Sequence, residues 1–224
     1  MTSQQDLLDT LAQVARALGN GHRLALLKRL AQADASVEVL ANTAGLTVGN
    51  ASQHLQQLRR VGLVTATRAG KQVIYRLTDE RIVTLMELLR QVAETNLAEM
   101  ERLVSRLFAD DNAGGALEAV SRDELLAGLK RGEVVLLDVR SEDEYEAGHL
   151  PEAINIPLTH LEDMLDRLPR DREIVAYCRG PYCTLSHQAV QRLRQLGYQV
   201  KRFEEGYPEW KAAGLPVTGQ ASRS

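Results

Sequence analysis

The sequence predicts two domains, a mainly α-helical one at the N-terminus and an α/β one with a largely parallel sheet at the C-terminus. The chain has 224 residues, 44% of them hydrophobic, and so exceeds the commonest size of a single domain. Helical spacing of apolar residues dominates the first half, whereas short apolar runs alternate with helical segments in the second. Asp110 to Gly115 has the small, polar composition of a linker. We therefore expect domains at residues 1–109 and 117–217, a linker at 110–116 and a tail at 218–224.

Charge is distributed unevenly between the two halves. Residues 1–109 carry 13 Lys and Arg against 10 Asp and Glu, a net charge of +3, while the remainder carries 14 against 20, a net charge of −6. Within residues 16–81, 10 basic residues face 4 acidic ones, which is the sign that nucleic acid requires. The polar start from Met1 to Thr10 is unlike a secretion signal, and no apolar run approaches the thickness of a bilayer. We expect a cytoplasmic protein without a membrane contact.

The first sixty residues follow the pattern of a helix-turn-helix. Apolar residues from Leu7 to Leu18 and from Leu24 to Leu30 recur at helical spacing and predict two helices, separated by Gly19-Asn20-Gly21. A short segment from Ser36 to Asn42, with its serine as a possible cap, precedes a glycine and then a helix from about Thr47 to Arg60. Helix, tight turn with glycine, helix is the order of a helix-turn-helix.

A hairpin and a long helix are predicted next. Leu63 to Arg68 and Gln72 to Leu77 are β-prone and flank the turn Ala69-Gly70-Lys71, which makes a wing. From Asp79, which can cap, apolar residues keep helical spacing to Leu107. A helix of some thirty residues needs a partner, so we interpret it as the dimerisation element of a homodimer, together with the first helix.

Specific motifs in this half resemble those of the ArsR/SmtB family of winged-helix repressors. Ser52-Gln53-His54-Leu55, then Gly62-Leu63-Val64 and a hairpin ending in Tyr75-Arg76-Leu77, carry the resemblance over residues 16–77. It implies that the helix from Thr47 enters the major groove of double-stranded operator DNA. The groove-facing side chains would be Asn50, Ser52, Gln53, His54 and Gln56, and Gln and Asn can pair bidentately with adenine. Contacts to the DNA backbone would come from Arg59, Arg68, Lys71 and Arg76. The alternative is an amphipathic helix with a solvated polar face.

The sequence departs from the metal-sensing members of that family. Residues 1–109 contain no Cys, and the segment from Asp79 to Phe108 contains no His, so the usual N/S ligands are missing. We expect neither a metal site nor a cofactor.

The second half predicts buried strands and a reactive cysteine. An amphipathic segment from Ser121 to Lys130 precedes the apolar run Val134 to Val139, and a second run, Ile174 to Tyr177, leads into Cys178. A cysteine there lies between a buried strand and a helix, where backbone N–H groups and the helix dipole would lower the pKa of its thiol. Arg179 adds positive charge that suits an anion.

Residues 117–217 resemble a single rhodanese domain. The matching motifs are LLDVRSEDEYEAGHLPEAINIPL at 136–158, IVAYCRGPYC at 174–183 and GYPEWKAAGLPV at 206–217. The resemblance implies that Cys178 accepts a sulfane sulfur and becomes a persulfide. Asp138 matches the acidic residue of the family's Asp-Val-Arg motif, either as a catalytic group or as a structural carboxylate that caps a turn. Arg140 is interpreted as an ion-pair partner of the acidic stretch from Glu142 to Glu146.

Cys183 leaves three interpretations open: a partner thiol for Cys178, a buried apolar residue, or a zinc ligand with Cys178 and His187. The loop is also about two residues longer than is common in rhodaneses, which allows a donor other than thiosulfate.

Three functions follow for the whole chain. The favoured one is a DNA-binding regulator, a repressor, in which reactive sulfur from a small anion or persulfide donor modifies Cys178; Cys183 then attacks the persulfide to form a link across the loop. The second is a regulator with an active sulfurtransferase domain. The third is a regulator whose second domain only binds a ligand, including an oxyanion such as arsenate.

Overall fold

The computed structural model describes residues 3–108 and 119–219. The chain divides into two compact units, residues 1–86 and 87–224. The predicted linker, 110–116, and most of the predicted tail lie outside the described residues, so that boundary stays a prediction. The boundary between the two compact units lies upstream of the predicted linker, because the segment from Glu87 onward groups with the C-terminal unit.

The first unit begins with the helices that the sequence predicted. They are α1 (Gln4–Leu18), α2 (Gly21–Leu30), α3 (Val37–Thr43) and α4 (Val48–Arg60). Local side chains start each one, since Ser3, Asn20, Ser36 and Thr47 all accept a backbone N–H of the first turn. The predicted helix-turn-helix is therefore confirmed.

The wing is a hairpin in a small antiparallel sheet. Its strands are β2 (Val64–Ala69) and β3 (Gln72–Leu77), and β1 (Ala35–Ser36) pairs with the outer edge of β3. Gly70 takes a φ of +60°, which glycine adopts without strain in the two-residue turn. The core of this unit joins the helices to the sheet through Leu26, Leu27, Leu55 and Leu58, which have no exposed surface.

The predicted single helix from Asp79 to Phe108 is wrong, because the structure has two helices there. They are α5 (Arg81–Asn96) and α6 (Ala98–Leu107), and Leu97 between them is extended, with φ −113° and ψ 104°. Asn96 sits at the break and donates its side-chain amide to the carbonyl of Val92 at 2.8 Å, a local bond that competes with helix continuation. The predicted cap is present, since Asp79 accepts the backbone N–H of Arg81 at 2.8 Å.

The second unit is an α/β domain around a five-stranded parallel sheet, as predicted. Its strands are β4 (Ala119–Val120), β5 (Val134–Asp138), β6 (Ile154–Asn155), β7 (Glu173–Cys178) and β8 (Val200–Gly206), in the order β4-β8-β7-β5-β6. The helices are α7 (Arg122–Arg131), α8 (Glu142–Ala147), α9 (Thr184–Gln195) and α10 (Tyr207–Ala212), with 3-10 turns at Leu158–His160 and Glu162–Arg167.

Apolar side chains cover both faces of this sheet. One core contains Ala189, Val190 and Leu193 of α9, and the other contains Leu125 of α7 and Trp210 of α10. This explains why β5 and β7 are continuous apolar runs rather than alternating ones. Within residues 3–108 and 119–219, no helix has the length and apolar character needed to cross a membrane.

Candidate functional site: a polar helix face and a two-cysteine loop

The outward face of α4 carries most of the predicted DNA contacts. Ala51, Leu55 and Leu58 are fully buried, so the opposite side of the helix points away from the core. On that side, Asn50, Gln53, Gln56 and Arg59 are exposed and Ser52 is half-buried. The helix therefore offers amide and guanidinium groups together, as a groove-reading helix requires.

His54 differs from these residues. It is half-buried, its ring lies 5.7 Å from that of His22, and its Nδ1 is enclosed without a hydrogen-bond partner among the described residues. Burial, and then the charge of Arg23, lowers the pKa of His54, so the imidazole is neutral near pH 7. The contact of His54 with DNA stays a prediction. A neutral imidazole lacks the positive charge that would favour a phosphate.

Arg23 is a positioning residue that the sequence analysis missed. Its Nε donates to the carbonyl of Ala17 at 2.5 Å, and another guanidinium nitrogen donates to Gln57 Oε1 at 2.6 Å. Arg23 thus ties the end of α1 to α4. Nothing in its own sequence neighbourhood indicates this, because Gln57 lies 34 positions away.

The wing presents two exposed cations. Lys71 is exposed at the turn, and Arg68 is exposed and donates to the carbonyl of Gly70 at 3.3 Å. Arg76 is half-buried and forms an ion pair with Asp34 at 3.5 Å. Of the three wing cations predicted to hold the DNA backbone, Arg68 and Lys71 are thus the better placed.

Two free cysteines flank the loop at the carboxyl end of the parallel sheet. Cys178 is the last residue of β7, and Cys183 immediately precedes α9, with its N–H donating to Gly180 at 3.0 Å. The strand, loop and helix predicted around the cysteines are confirmed. This edge of an α/β sheet is the usual place for a site.

Cys178 is almost completely enclosed. It is 1% exposed, its Sγ lies 3.1 Å from Ser186 Oγ, and it also contacts the carbonyl of Cys183 at 3.6 Å. Burial, reinforced by Cys183, raises the pKa of the Cys178 thiol well above its ordinary value. The predicted lowering of that pKa is therefore wrong, because desolvation outweighs the helix dipole at this sulfur.

The lowered thiol pKa that the sequence analysis predicted for Cys178 is found at Cys183 instead. Cys183 is half-buried, and the hydrogen bond with the Cys178 thiol lowers the pKa of its own thiol to about 6. The backbone N–H groups of Arg179 and Leu185 and the charge of Arg179 act in the same direction. Within the pair, the contacts therefore favour the thiolate form at Cys183 over that at Cys178.

Arg179 does not carry a free positive charge. Its Nε and one terminal nitrogen bind the two carboxylate oxygens of Glu144 at 2.6 and 2.7 Å. The sequence analysis assigned this charge to an incoming anion, but Glu144 of α8 engages it in a bidentate pair. The main role of the pair is to hold the loop against α8.

Asp138 and Arg140 form a buried pair. Both are fully enclosed, their closest atoms are 2.6 Å apart, and Asp138 also accepts the backbone N–H of Arg140 at 3.0 Å. Arg140 binds the carboxylate two residues upstream, and the charge of Glu144, in the stretch from Glu142 to Glu146 that was predicted to pair with it, also raises the pKa of Arg140. This geometry favours the structural role for Asp138.

Two contacts join the cysteine loop to side chains outside the matching motifs. Arg202 of β8 donates to the carbonyl of Pro181 at 3.0 Å, and its guanidinium carbon lies 5.4 Å from the ring centre of Phe108. The Tyr182 hydroxyl donates to Glu94 Oε1 of α5 at 2.5 Å. Neither contact is visible in the sequence, because the partners are 21 and 88 positions apart.

The zinc alternative finds no support in the structure. His187 is buried with its ring centre 5.0 Å from that of Phe108. In the part of the chain that the structure describes, no group of three or more His, Cys, Asp or Glu side chains could hold a metal ion.

Family models match both halves of the chain. One described as a helix-turn-helix domain matches residues 18–66, and one described as a rhodanese-like domain matches residues 121–213. The N-terminal match includes α4, and the C-terminal match includes both cysteines.

Known proteins resemble the whole chain or one half of it. The HTH-type transcriptional regulator Rv0324 of Mycobacterium tuberculosis is 44% identical over 221 residues, which cover 97% of this chain and 96% of that protein. The human thiosulfate:glutathione sulfurtransferase is 35% identical over 106 residues, 41% of this chain and 90% of that protein. A solution structure of the homodimeric winged helix-turn-helix domain Mb0332 from Mycobacterium bovis is 39% identical, covers 44% of this chain and 95% of its own, and has a TM-score of 0.40.

Proposed function

The chain belongs to the ArsR-type winged helix-turn-helix transcriptional regulators that carry a C-terminal rhodanese-like domain, and from this premise we propose that reactive sulfur at the Cys178–Cys183 pair changes its affinity for operator DNA. The observation that carries the proposal is the pairing itself: two free cysteines meet in one loop, where the Cys178 sulfur contacts the Cys183 carbonyl at 3.6 Å, and their thiols differ in burial and in the direction of their pKa shifts. A regulator that binds DNA works in the cytoplasm, where thiols are kept reduced.

The DNA contacts of the proposal come from α4 and the wing. Asn50, Gln53 and Gln56 are exposed amides suited to base edges, with Ser52 and His54 beside them. Arg59, Arg68, Lys71 and Arg76 supply contacts to the DNA backbone.

A homodimer is part of the proposal, because two helices leave apolar side chains exposed. Leu7 and Leu11 of α1 are 65% and 66% exposed, and Leu88 and Val92 of α5 are 53% and 60% exposed. Burying such residues against a second copy contributes about 25 cal/mol for each Å² removed from water. Two recognition helices would then meet half-sites about one turn of DNA apart.

The sulfur chemistry begins at the more exposed and more acidic thiol. The Cys183 thiolate attacks the sulfane sulfur of a donor RS–SH, giving Cys183–S–SH and RS⁻. The Cys178 thiol then attacks the inner sulfur of this persulfide, forming a Cys178–Cys183 disulfide and releasing H₂S. The two cysteines thus exchange the roles that the sequence analysis gave them, while the final link is the same.

The loop between the cysteines can pass this change to α5. Tyr182 binds Glu94 through its hydroxyl, and the Arg90 guanidinium carbon lies 5.8 Å from the centre of its ring. The same helix begins with Ile82 and Val83, which are buried in the first unit. A disulfide that pulls the loop inward would therefore act on a helix shared with the DNA-binding unit.

Intact-mass analysis paired with DNA binding tests the proposal. The protein is exposed to polysulfide, thiosulfate, arsenate or peroxide, and each product is assayed on operator DNA. We expect polysulfide to yield a protein 2 Da lighter with altered DNA affinity. Cys178→Ser should stop at a persulfide, 32 Da heavier, and Cys183→Ser should react slowly. An unchanged DNA response in both variants would overturn the proposal, whereas fast persulfide formation in Cys183→Ser would restore Cys178 as the first nucleophile.

An active sulfurtransferase is the second candidate function. It is favoured by the likeness of the C-terminal unit to the human sulfurtransferase over 90% of that protein. Steady-state transfer of sulfur from thiosulfate to glutathione or cyanide decides between turnover and a single regulatory modification. The ligand-binding alternative, including an oxyanion such as arsenate, would leave both thiols free after the DNA response.

A further inference from the structure

Two arginines carry positive charge at the cysteine loop, Arg179 within it and Arg202 beside it. They differ in the groups that neutralise their charges. Arg179 binds both carboxylate oxygens of Glu144. Arg202 comes from β8, and within the described residues no carboxylate lies within ion-pair distance of it. It contacts the Pro181 carbonyl at 3.0 Å and the Phe108 ring at 5.4 Å. Arg202 therefore brings to the loop a second positive charge, which forms no ion pair with a carboxylate of the described residues.

A half-buried cation that forms no ion pair with a carboxylate of the described residues is costly to keep. Burial lowers the pKa of Arg202, and the negative charges of the cysteine pair and of Glu204 act in the opposite sense. The cysteine pair is thus one of two sources of negative charge that offset the burial of Arg202. A further anion entering the loop would find the same guanidinium.

The Arg202 guanidinium has further N–H groups that form no hydrogen bond with the described residues and are available to such an anion. Arginine carries five N–H groups in a planar fork, and among the residues that the structure describes only one terminal nitrogen of Arg202 donates a hydrogen bond, to a neutral carbonyl. The Phe108 ring covers the guanidinium and limits the orientations it can take. Planar, partly unused donors suit the oxygen atoms of a thiosulfonate or the terminal sulfur of a hydropolysulfide.

We propose that Arg202 is the binding residue for a small anionic sulfur donor and orients it toward Cys183. The proposal rests on the proposed function and sharpens it, because it assigns the donor to the class of anions over neutral polysulfides. Arg202 positions the donor and takes no part in breaking a bond.

The test compares a negatively charged and a neutral probe of the same thiol. Iodoacetate and iodoacetamide both alkylate the Cys183 thiolate, so the ratio of their rates cancels any change in the thiolate fraction. Rates are measured on the full chain at pH 7 by peptide mass analysis of Cys183. We expect Arg202→Gln, which keeps a donor for Pro181, to lower the iodoacetate-to-iodoacetamide ratio about tenfold, which corresponds to about 1.4 kcal/mol. Arg202→Lys should stay within about twofold of the unmodified protein because it keeps the charge.

Arg194→Gln is the matched control. Arg194 is also half-buried and donates to a backbone carbonyl, that of Val200 at 3.0 Å, on α9. Its replacement should leave the ratio unchanged. If Arg202→Gln does not fold, Arg202→Met replaces it as an apolar variant of similar length.

The outcomes separate this inference from the proposed function. An unchanged ratio in Arg202→Gln, or an equal fall in Arg194→Gln, overturns the role of Arg202. Alkylation does not depend on any sulfur donor or on DNA, so that failure leaves the response at the cysteine pair standing. The assignment of the donor to the anions is tested separately. It is overturned if the iodoacetate-to-iodoacetamide ratio of Arg202→Gln falls tenfold but a neutral dialkyl trisulfide reacts faster with the unmodified protein than thiosulfate and hydropolysulfide do.

Discussion

The recognition helix and the cysteine loop present their chemistry in opposite ways. On α4 the chemical groups are exposed and act independently, with Asn50, Gln53 and Gln56 spaced along one helix face. In the loop the thiols are shielded, and the reactivity of each depends on its neighbours, such as Ser186 of α9, which lies 3.1 Å from the Cys178 sulfur. Function displayed on a surface follows from helical periodicity, whereas function in an enclosed loop follows from partners that the fold brings together.

The largest effect that this comparison predicts is on stability. Asp138→Ala leaves the fully buried Arg140 without its carboxylate, and we expect the free energy of unfolding of this unit to fall by about 3–5 kcal/mol. The matched exposed pair is Arg131 with Glu133, each 57% exposed, and Glu133→Ala should cost less than about 1 kcal/mol. Urea unfolding followed by the fluorescence of the buried Trp210 measures both. Equal losses would remove the distinction between enclosed and exposed partners.

The next effect is on thiol reactivity. Because the pKa of Cys183 is about 6, its alkylation by iodoacetamide should rise with pH through a midpoint near 6 and level off above pH 7. In Cys183→Ser the remaining thiol is enclosed and has a raised pKa, so the rate at pH 7 should drop about hundredfold. Peptide mass analysis across pH 5–9 measures this. A midpoint near 6 that persists in Cys183→Ser would assign the thiolate to Cys178.

The sequence predicted what local spacing controls. Apolar periodicity and capping residues gave α1 to α4, and Gly70 between two β-prone runs gave the hairpin. The strand before Cys178 and the helix after it were also predicted. These elements form because residues within a few positions of each other favour them.

The sequence could not predict what distant partners control. Arg179 looked free because Glu144 lies 35 positions upstream, and the direction of the pKa shift at Cys178 depends on burial that only the packed fold creates. The break at Leu97 is a local exception: apolar spacing continues across it, but the side chain of Asn96 bonds back to Val92. The preference of Asn side chains for hydrogen bonds to nearby backbone groups was the feature of the sequence that could have indicated this break.

On the exposed side, single substitutions should separate base contacts from backbone contacts. Gln53→Ala should weaken binding to the operator by about 1–3 kcal/mol and leave binding to random DNA nearly unchanged. Lys71→Ala should weaken both and reduce the slope of log affinity against log salt by about 1. Binding titrations at several salt concentrations measure the two terms. Equal losses on both kinds of DNA for both variants would mean that α4 does not read bases.

The apolar stripe of α5 gives a smaller expected effect, on assembly. Val92→Asp places a carboxylate on a stripe that would be buried between two copies, and we expect the dimer dissociation constant to rise at least about tenfold. Leu126→Asp on α7, where Leu126 is 36% exposed, is the control and should leave assembly unchanged. Sedimentation of the two variants measures this. A monomeric unmodified protein at micromolar concentration would contradict the dimer itself.

The smallest effect is expected where the enclosed site meets α5. Tyr182→Phe removes only the hydroxyl that binds Glu94, and Glu94 keeps its ion pair with Arg90 at 2.5 Å. A hydrogen bond to a charged group contributes about 1.5–3 kcal/mol at most, and part of this is regained because Glu94 stays paired, so we expect about 1 kcal/mol of coupling to be lost. The measured quantity is the ratio of DNA dissociation constants with and without polysulfide, which should shrink about fivefold while the alkylation rate of Cys183 stays the same. Tyr145→Phe, which loses a hydroxyl bond to the Ala153 carbonyl at 2.8 Å, is the matched control and should leave the ratio unchanged. If the ratio is the same in all three proteins, the loop does not act on DNA binding through α5.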